Sequence, residues 1–220
     1  LLKTSYDFVN VDEAVKNITG LDRLYCICGN ESMKSARDLA LDDRVDTNII
    51  GIAKTVFNDM PGLESLGFQT AIQELARYID CAYIEAVSTN SIVFLEVPGR
   101  GNSELVVHAG LARNSKITNV ITPDTKADYM SAIEYSYAKR GYAVVIISEV
   151  CDYEYLLTSM SVKPKLITPG YLIRDVEPCV YDSILAERMV REAFAHAQEH
   201  RDFIKGATNI VSFNDYLRLV

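Results

Sequence analysis

The chain has no basic excess, no long apolar run and no low-complexity tract, and each absence narrows what it can be. Lys and Arg number 22 against 30 Asp and Glu, a formal net charge of −8. A nucleic-acid binder normally presents a basic face, so that class is set aside. No stretch approaches the roughly 18 to 20 consecutive apolar residues that cross a bilayer, which sets aside a membrane span. The first residues, Leu1-Leu-Lys-Thr-Ser-Tyr-Asp-Phe8, lack the basic, apolar and small-residue layout of a secretory signal. Cysteines are few and odd in number: Cys26, Cys28, Cys81, Cys151 and Cys179. Most lie in apolar runs, which reads as buried, unpaired thiols in a reducing compartment rather than a disulfide or zinc framework. Cys26-Ile27-Cys28 is read as strand, with its two thiols on opposite sides of the sheet. The expectation is a soluble, cytoplasmic protein. Its 220 residues suffice for one large domain or two small ones.

What is present is an alternation of short β-rich runs with longer helical patterns, the signature of parallel sheets covered on both faces. Helices are predicted over Val11 to Gly20, from about Met33 to Leu41, and over Gly67 to Val87, where apolar residues recur at helical spacing. Others are predicted over Glu104 to Ala112, up to about Arg140 with Thr122 or Asp124 as N-cap, over Asp152 to Met160, and from Tyr181 to about Gln198. Strands are predicted at Leu24 to Cys28, Asn48 to Ala53, Ser91 to Val97, Thr118 to Ile121, Tyr142 to Ser148 and Asn209 to Ser212. Lys163 to Gly170 reads as strand or loop. No internal repeat or flexible linker is evident.

The polar residues gather in loops at the carboxyl ends of strands, where open α/β sheets bind ligands. The most crowded is the corner Lys54-Thr55-Val56-Phe57-Asn58-Asp59, closed by Pro61-Gly62. A cation, a hydroxyl, an amide and a carboxylate in six residues suit a phosphate-bearing ligand, and Phe57 is out of place among them. The others are Cys28-Gly29-Asn30-Glu31-Ser32, Glu96-Val97-Pro98-Gly99-Arg100, Glu149-Val150-Cys151-Asp152 and Pro169-Gly170-Tyr171-Leu172-Ile173-Arg174.

Taken together, in order and spacing, these loops resemble the phosphofructokinase family, in both its ATP-dependent and pyrophosphate-dependent branches. Cys28 to Ser32 aligns with Gly-Gly-Asp-Gly-Ser. Ala53 to Asp59 aligns with Pro-Lys/Gly-Thr-Ile-Asp-Asn-Asp, and Pro61-Gly62 and Gly67-Phe68-Gln69-Thr70-Ala71 continue the match. Glu96 to Arg100 aligns with Glu-Val-Met-Gly-Arg, and Ala109-Gly110-Leu111-Ala112 extends it. Glu149 falls on the family's sheet-end glutamate. Tyr171 to Arg174 falls on its sugar-phosphate segment, and Tyr181 to Ala186 matches the family in the next helix. The resemblance spans essentially the whole chain.

The resemblance implies an α/β fold, phosphofructokinase-like, of two Rossmann-like three-layer α/β/α lobes with mostly parallel sheets. Residues 1–67 and 175–220 would form the larger, donor-side lobe and residues 68–174 the sugar-phosphate lobe. The implied reaction moves a phosphoryl group from ATP or pyrophosphate, with Mg2+, to fructose 6-phosphate, a carboxylate accepting the hydroxyl proton. Donor contacts would fall on Gly29, Asn30, Glu31, Ser32, Lys54 and Tyr6, and sugar contacts on Gly99, Arg100, Glu149, Tyr171 and Arg174. The departures concentrate on the donor and the chemistry. Phe57 stands at the catalytic base. Asn30 stands at the magnesium-linked aspartate, a poorer ligand for a hard cation. Glu31 adds bulk and charge where a polyphosphate would enter, and Cys28 adds a Cβ to a loop that approaches phosphate closely. Tyr6 replaces a phosphate-contacting arginine, Ser91 the arginine that acts across subunits, and the nucleotide loop Gly-Gly-x-x-Pro-Gly has no counterpart. Thr55, Asn58, Asp59, Gly99, Arg100, Glu149 and Arg174 keep their places, and Lys54 matches pyrophosphate users.

The resemblance therefore suggests a catalytically degenerate subunit or half of 6-phosphofructokinase, regulatory or structural in role. It would assemble as a homo- or hetero-oligomer, with a homologous active subunit or half as partner, and could sense a sugar phosphate. An active kinase or pyrophosphate-dependent transferase using Asp59 or Glu31 as base, and a dimerisation module without ligand, stand as alternatives. Arg100 and Arg174 read equally as ion-pair residues, Glu149 as a helix-capping carboxylate, Lys54 as a solvated cation and Phe57 as an ordinary core aromatic. His196 and His200, one turn apart, read as helix surface, because no third ligand accompanies them.

Overall fold

A computed structural model of the chain describes residues 9–125 and 128–219. These fall into two compact units. One comprises the described residues up to Gly67 with those from Val180 onward, and the other is Phe68–Cys179.

In the first unit the order is α1 (Val11–Ile18), β1 (Arg23–Cys28), α2 (Asn30–Ala40) and β2 (Asn48–Ala53). After the second unit come α7 (Val180–His196), β7 (Phe203–Lys205), β8 (Ile210–Ser212) and α8 (Phe213–Leu219). The sheet order is β1-β2-β7-β8, parallel except for the antiparallel pair β7–β8. Every residue of β2 is buried, as expected of an uninterrupted apolar run covered on both faces. Its alternate side chains divide two layers: Ile49 and Ala53 pack with Met33, Ala36 and Leu39 of α2 and with Phe213 and Tyr216 of α8. Ile50 and Ile52 pack with Leu185, Met189 and Ala193 of α7. Gly51 sits where a Cβ would lie 2.6 Å from Met33 Sδ, so glycine lets α2 approach the strand. Each such aliphatic side chain contributes about 1.5–3 kcal/mol by leaving water.

The second unit runs α3 (Phe68–Thr89), β3 (Ile92–Val97), α4 (Glu104–Ala112), β4 (Asn119–Ile121), α5 (Tyr129–Arg140), β5 (Ala143–Ser148), α6 (Glu154–Ser159) and β6 (Lys165–Ile167). Its sheet, β4-β5-β3-β6, is wholly parallel. Ala82 and Ala86 of α3 cover Val93 and Val144. Ile133 of α5 and Leu156 of α6 cover Ile92, Phe94, Val145 and Ile147. The α/β class with mostly parallel, helix-flanked sheets is thus as expected. Among the described residues no helix is long and apolar enough to cross a membrane.

Three details differ from expectation. Residues 203–205 form a strand, β7, that Phe-Ile-Lys does not announce; the buried amine of Lys205 is satisfied by Glu192 at 2.6 Å. The N-cap of α5 is Asp128, which accepts from Ser131 N at 3.1 Å, while Thr122 and Asp124 lie outside the helix. Cys26 and Cys28, two residues apart in a strand, share one face and pack towards α2. All five thiols are free, but Cys81 is exposed and the other four are only half-buried.

Candidate functional site

The candidate residues form one group in each unit. In the first unit, β1 and β2 run in register, Cys28 opposite Ala53, so their carboxyl-terminal loops emerge side by side. Lys54 N donates to Cys28 O at 3.0 Å, tying the corner to the Gly29–Ser32 loop. At Gly29 a Cβ would lie 3.4 Å from Lys54 O, in van der Waals contact, so the two loops lie against each other. Leu66 closes the far end: Thr55 N donates to Leu66 O at 3.1 Å and Leu66 N to Ala53 O at 3.0 Å. Inside this closed loop, Phe57 N donates to Thr55 Oγ1 at 3.2 Å, and Asn58 Oδ1 accepts from Ser65 N at 3.0 Å. Asn58 takes a left-handed φ of 53°, a conformation asparagine tolerates better than most residues.

This geometry decides which side chains are offered to a ligand. Lys54 is exposed, whereas Thr55 is buried. The Phe57 ring is 4% exposed, so it is packed inside the protein. Asp59 keeps Oδ1 buried with no hydrogen-bond partner among the described residues. Asn30 begins α2, and its Oδ1 accepts from the Tyr216 hydroxyl of α8 at 2.6 Å. Tyr216 is fully buried. Burial first, then the charges of Asp59 and Cys28, push its hydroxyl up to about 12, so it stays a donor at neutral pH. Burial also pushes the Cys28 thiol up to about 12 and Cys26 up to about 11, which keeps both protonated and unreactive. Glu31 is exposed and paired with Lys34 at 3.0 Å, and Ser32 is exposed beside it. Tyr6 lies outside the described residues.

In the second unit, β3 and β5 end in register at Val97 and Ser148. Glu149, the next residue, accepts from Gly99 N and Arg100 N through Oε1, both at 2.8 Å. One carboxylate oxygen thus holds the turn after β3. The turn is tight: Asn102 N donates to Gly99 O at 2.9 Å, and a Cβ at Gly99 would lie 2.5 Å from Asn102 O. Arg100 adopts a left-handed φ of 50°, uncommon for a residue other than glycine. The Ser148 hydroxyl is buried without a partner among the described residues. Glu96 accepts from the Tyr153 hydroxyl, and burial together with that bond pushes the phenol well above its usual range. Tyr171 and Arg174 sit on a separate 3-10 turn, Gly170–Arg174, anchored by buried Ile173. There the Arg174 guanidinium lies 4.9 Å from the exposed Tyr171 ring.

The structure therefore joins Gly29 and Asn30 to the Lys54–Asp59 corner, and Gly99 and Arg100 to Glu149. Tyr216 and Ser148 were missed. The aromatic pair Phe213 and Tyr216 on the last helix was the available signal for the first; a serine ending an apolar strand gave none for the second. His196 and His200 stack at 4.0 Å, and among the described residues no three His, Cys, Asp or Glu side chains are placed to hold a metal ion.

Known proteins share both the sequence pattern and the fold. A family model described as Phosphofructokinase matches residues 3–197. The ATP-dependent 6-phosphofructokinase of Hamiltonella defensa subsp. Acyrthosiphon pisum is 30% identical over 194 residues, covering 82% of this chain and 58% of that protein. ATP-dependent 6-phosphofructokinase 7 of Arabidopsis thaliana is 27% identical over 168 residues, covering 71% of this chain and 34% of that protein. The pyrophosphate-dependent phosphofructokinase of Nitrosospira multiformis superposes with a TM-score of 0.80 at 17% identity, over 92% of this chain and 62% of that one. At that identity the likeness speaks for the fold alone. The chain spans from about a third to under two thirds of the length of these relatives.

Proposed function

The chain belongs to the phosphofructokinase family, and from that premise we propose that it is a catalytically silent member, a regulatory or structural half that retains a sugar-phosphate site. The observation that carries this reading is the Phe57 ring, buried where the family resemblance puts the catalytic carboxylate. A phenyl ring accepts no proton. Losing a general base typically costs a hundredfold to ten-thousandfold in rate, on the order of 3–5 kcal/mol.

The donor side supports the same reading. Mg2+ keeps several waters in an octahedral set and is usually held through one or two carboxylates together with substrate phosphates. The resemblance offers Asn30 for it, a neutral amide whose oxygen is already taken by Tyr216. Glu31 beside it is paired with Lys34. The residues present do not fit the ion, and no step is derived through it or through a bound nucleotide.

The sugar side is better kept. Glu149 holds the Gly99–Arg100 turn, and the exposed Arg174 offers a planar fork of donors suited to a phosphate. On this reading the chain binds fructose 6-phosphate or its bisphosphate and works beside a homologous active subunit or half. Titration calorimetry tests it: fructose 6-phosphate gives heat that Arg174→Ala weakens at least about tenfold, as expected for one lost charged contact, and ATP gives none. Tight ATP binding, or no sugar-phosphate binding, would overturn it.

One observation favours a second reading. Asp59 Oδ1, buried without a hydrogen-bond partner among the described residues, is a carboxylate oxygen two residues from Phe57. An active transferase would use it as the base.

A further inference from the structure

The carboxyl ends of β1 and β2 carry the candidate site of the first unit, but a cleft of about 660 Å3 lies at their amino ends. Both strands are six residues long, so at roughly 3.3 Å per residue the two ends lie about 20 Å apart. The cleft belongs wholly to the first unit, where the connections α1–β1, α2–β2 and α7–β7 converge. Its volume falls within the range of small-molecule sites, about 300–1,000 Å3.

Hydrogen bonds fix the backbone around the cleft. Arg23 and Asn48 open their strands in register. Asn48 Nδ2 donates to His200 O at 3.1 Å, and Asp202 N donates to Asn48 Oδ1 at 2.9 Å. Thr47 Oγ1 donates to Ile18 O at 3.0 Å. Val15, Ile18, Leu21 and Val45 supply an apolar lining.

The charges around this lining sort into spent and unspent groups. Arg44 is spent: its guanidinium binds Asp42 through both carboxylate oxygens, at 2.9 and 2.6 Å, and Asp12 at 2.8 Å. Arg23 donates only to the neutral Gln198 Oε1, at 3.1 Å, and has no carboxylate partner among the described residues. Arg201 donates to the Asp46 carbonyl, and its Nε stands 3.9 Å from Asp202 Oδ2, the limit of an ion pair. Asp22 and Asp46 line the cleft and form no ion pair among the described residues. Two guanidinium groups and two carboxylates are therefore left over, and their charges sum to zero. A phosphate dianion would gain no net attraction from such a lining, and a wholly apolar ligand would leave four charges unanswered. A zwitterion with an apolar stem answers all of them.

We infer that this cleft binds a small apolar zwitterion of the amino-acid class. Its carboxylate lies with Arg23 and Arg201, whose planar forks suit a carboxylate. Its ammonium lies with Asp22 and Asp46, and its side chain lies on the Val15, Ile18 and Val45 lining. The inference does not depend on the functional reading, whose sugar-phosphate contacts lie in the second unit.

Titration calorimetry on the whole chain tests it, with L-phenylalanine as the probe. L-phenylalaninamide, which lacks the carboxylate, and N-acetyl-L-phenylalanine, which lacks the ammonium, are each expected to bind at least about tenfold more weakly, one charged contact being lost. Arg23→Gln should weaken L-phenylalanine at least about tenfold and bind the amide as well as the amino acid. The double variant Asp22→Asn, Asp46→Asn should weaken L-phenylalanine likewise and bind the N-acetyl derivative more tightly than the natural chain does. Arg191→Gln, which removes a positive charge paired with Glu187 outside the cleft, should leave all three affinities within about twofold. Natural-like far-UV dichroism shows that each variant is folded. No binding of L-phenylalanine, equal binding of the three probes, or cleft variants that bind as the natural chain does would overturn the inference.

Discussion

Replacing Tyr216 with Phe removes one oxygen and leaves the ring that packs beneath α2 in place. The lost bond is the donation to Asn30 Oδ1 at 2.6 Å, and a buried hydrogen bond of this kind contributes about 1 kcal/mol net. At pH 7 the variant should therefore unfold about 1 kcal/mol more easily. At high pH the order should change. The phenol is raised from 10.0 to about 12 in the folded protein. A raised pKa stabilises the fold fully below the unfolded value and is lost as pH climbs through the folded one. By linkage, about 1.4 kcal/mol of this contribution has gone by pH 11. The phenylalanine variant has no such contribution to lose, so the difference should shrink to nothing or reverse between pH 7 and about 11. The chain has no tryptophan, so urea unfolding monitored by far-UV circular dichroism is the suitable assay. The other tyrosines and the raised cysteines Cys26, Cys28 and Cys151 are common to the two proteins. An equal gap at both pH values, or a variant as stable as the natural chain at pH 7, would refute the buried Tyr216–Asn30 contact.

Asn58 is expected to separate backbone from side chain: Asn58→Gly keeps the left-handed turn and loses the Ser65 bond, costing about 1 kcal/mol, while Asn58→Ala loses both and costs about 2, read by the same unfolding assay. Equal costs would show that the φ of 53° carries no strain. Gly99→Ala puts a methyl 2.5 Å from a backbone oxygen, and such crowding costs about 1–3 kcal/mol; hydrogen exchange at the Gly99 region should quicken, and unchanged exchange would contradict the tight turn. Glu149→Ala should quicken exchange of the Gly99 and Arg100 amides, which its carboxylate accepts from, with little effect on global stability because the carboxylate is exposed.

The sheets were legible where strands were long and buried. β2 and β5 are uninterrupted apolar runs, and α3 shows its apolar spacing over many turns. β7 was not legible, because three residues are too few for a period and its lysine argues for a loop until Glu192 is seen to pair with it. The cap of α5 was misplaced because several oxygens between Thr122 and Asp128 could serve, and only the backbone path selects Asp128. At the site, the crowded corner and its odd phenylalanine stand in the sequence. The burial of Phe57, the Leu66 closure and the contact from Tyr216 to Asn30 do not. They join residues far apart in the chain, and no local pattern encodes them.

The central claim is that the fold persists around a lost reaction. Its most direct measurement is a coupled assay for fructose 1,6-bisphosphate formation by this chain alone, with ATP and with pyrophosphate as donors. No turnover above the enzyme-free control is expected with either donor. Turnover that Thr55→Ala or Asp59→Asn abolishes would contradict it, and would move the chemistry from the vacated Phe57 position to the buried Oδ1 of Asp59.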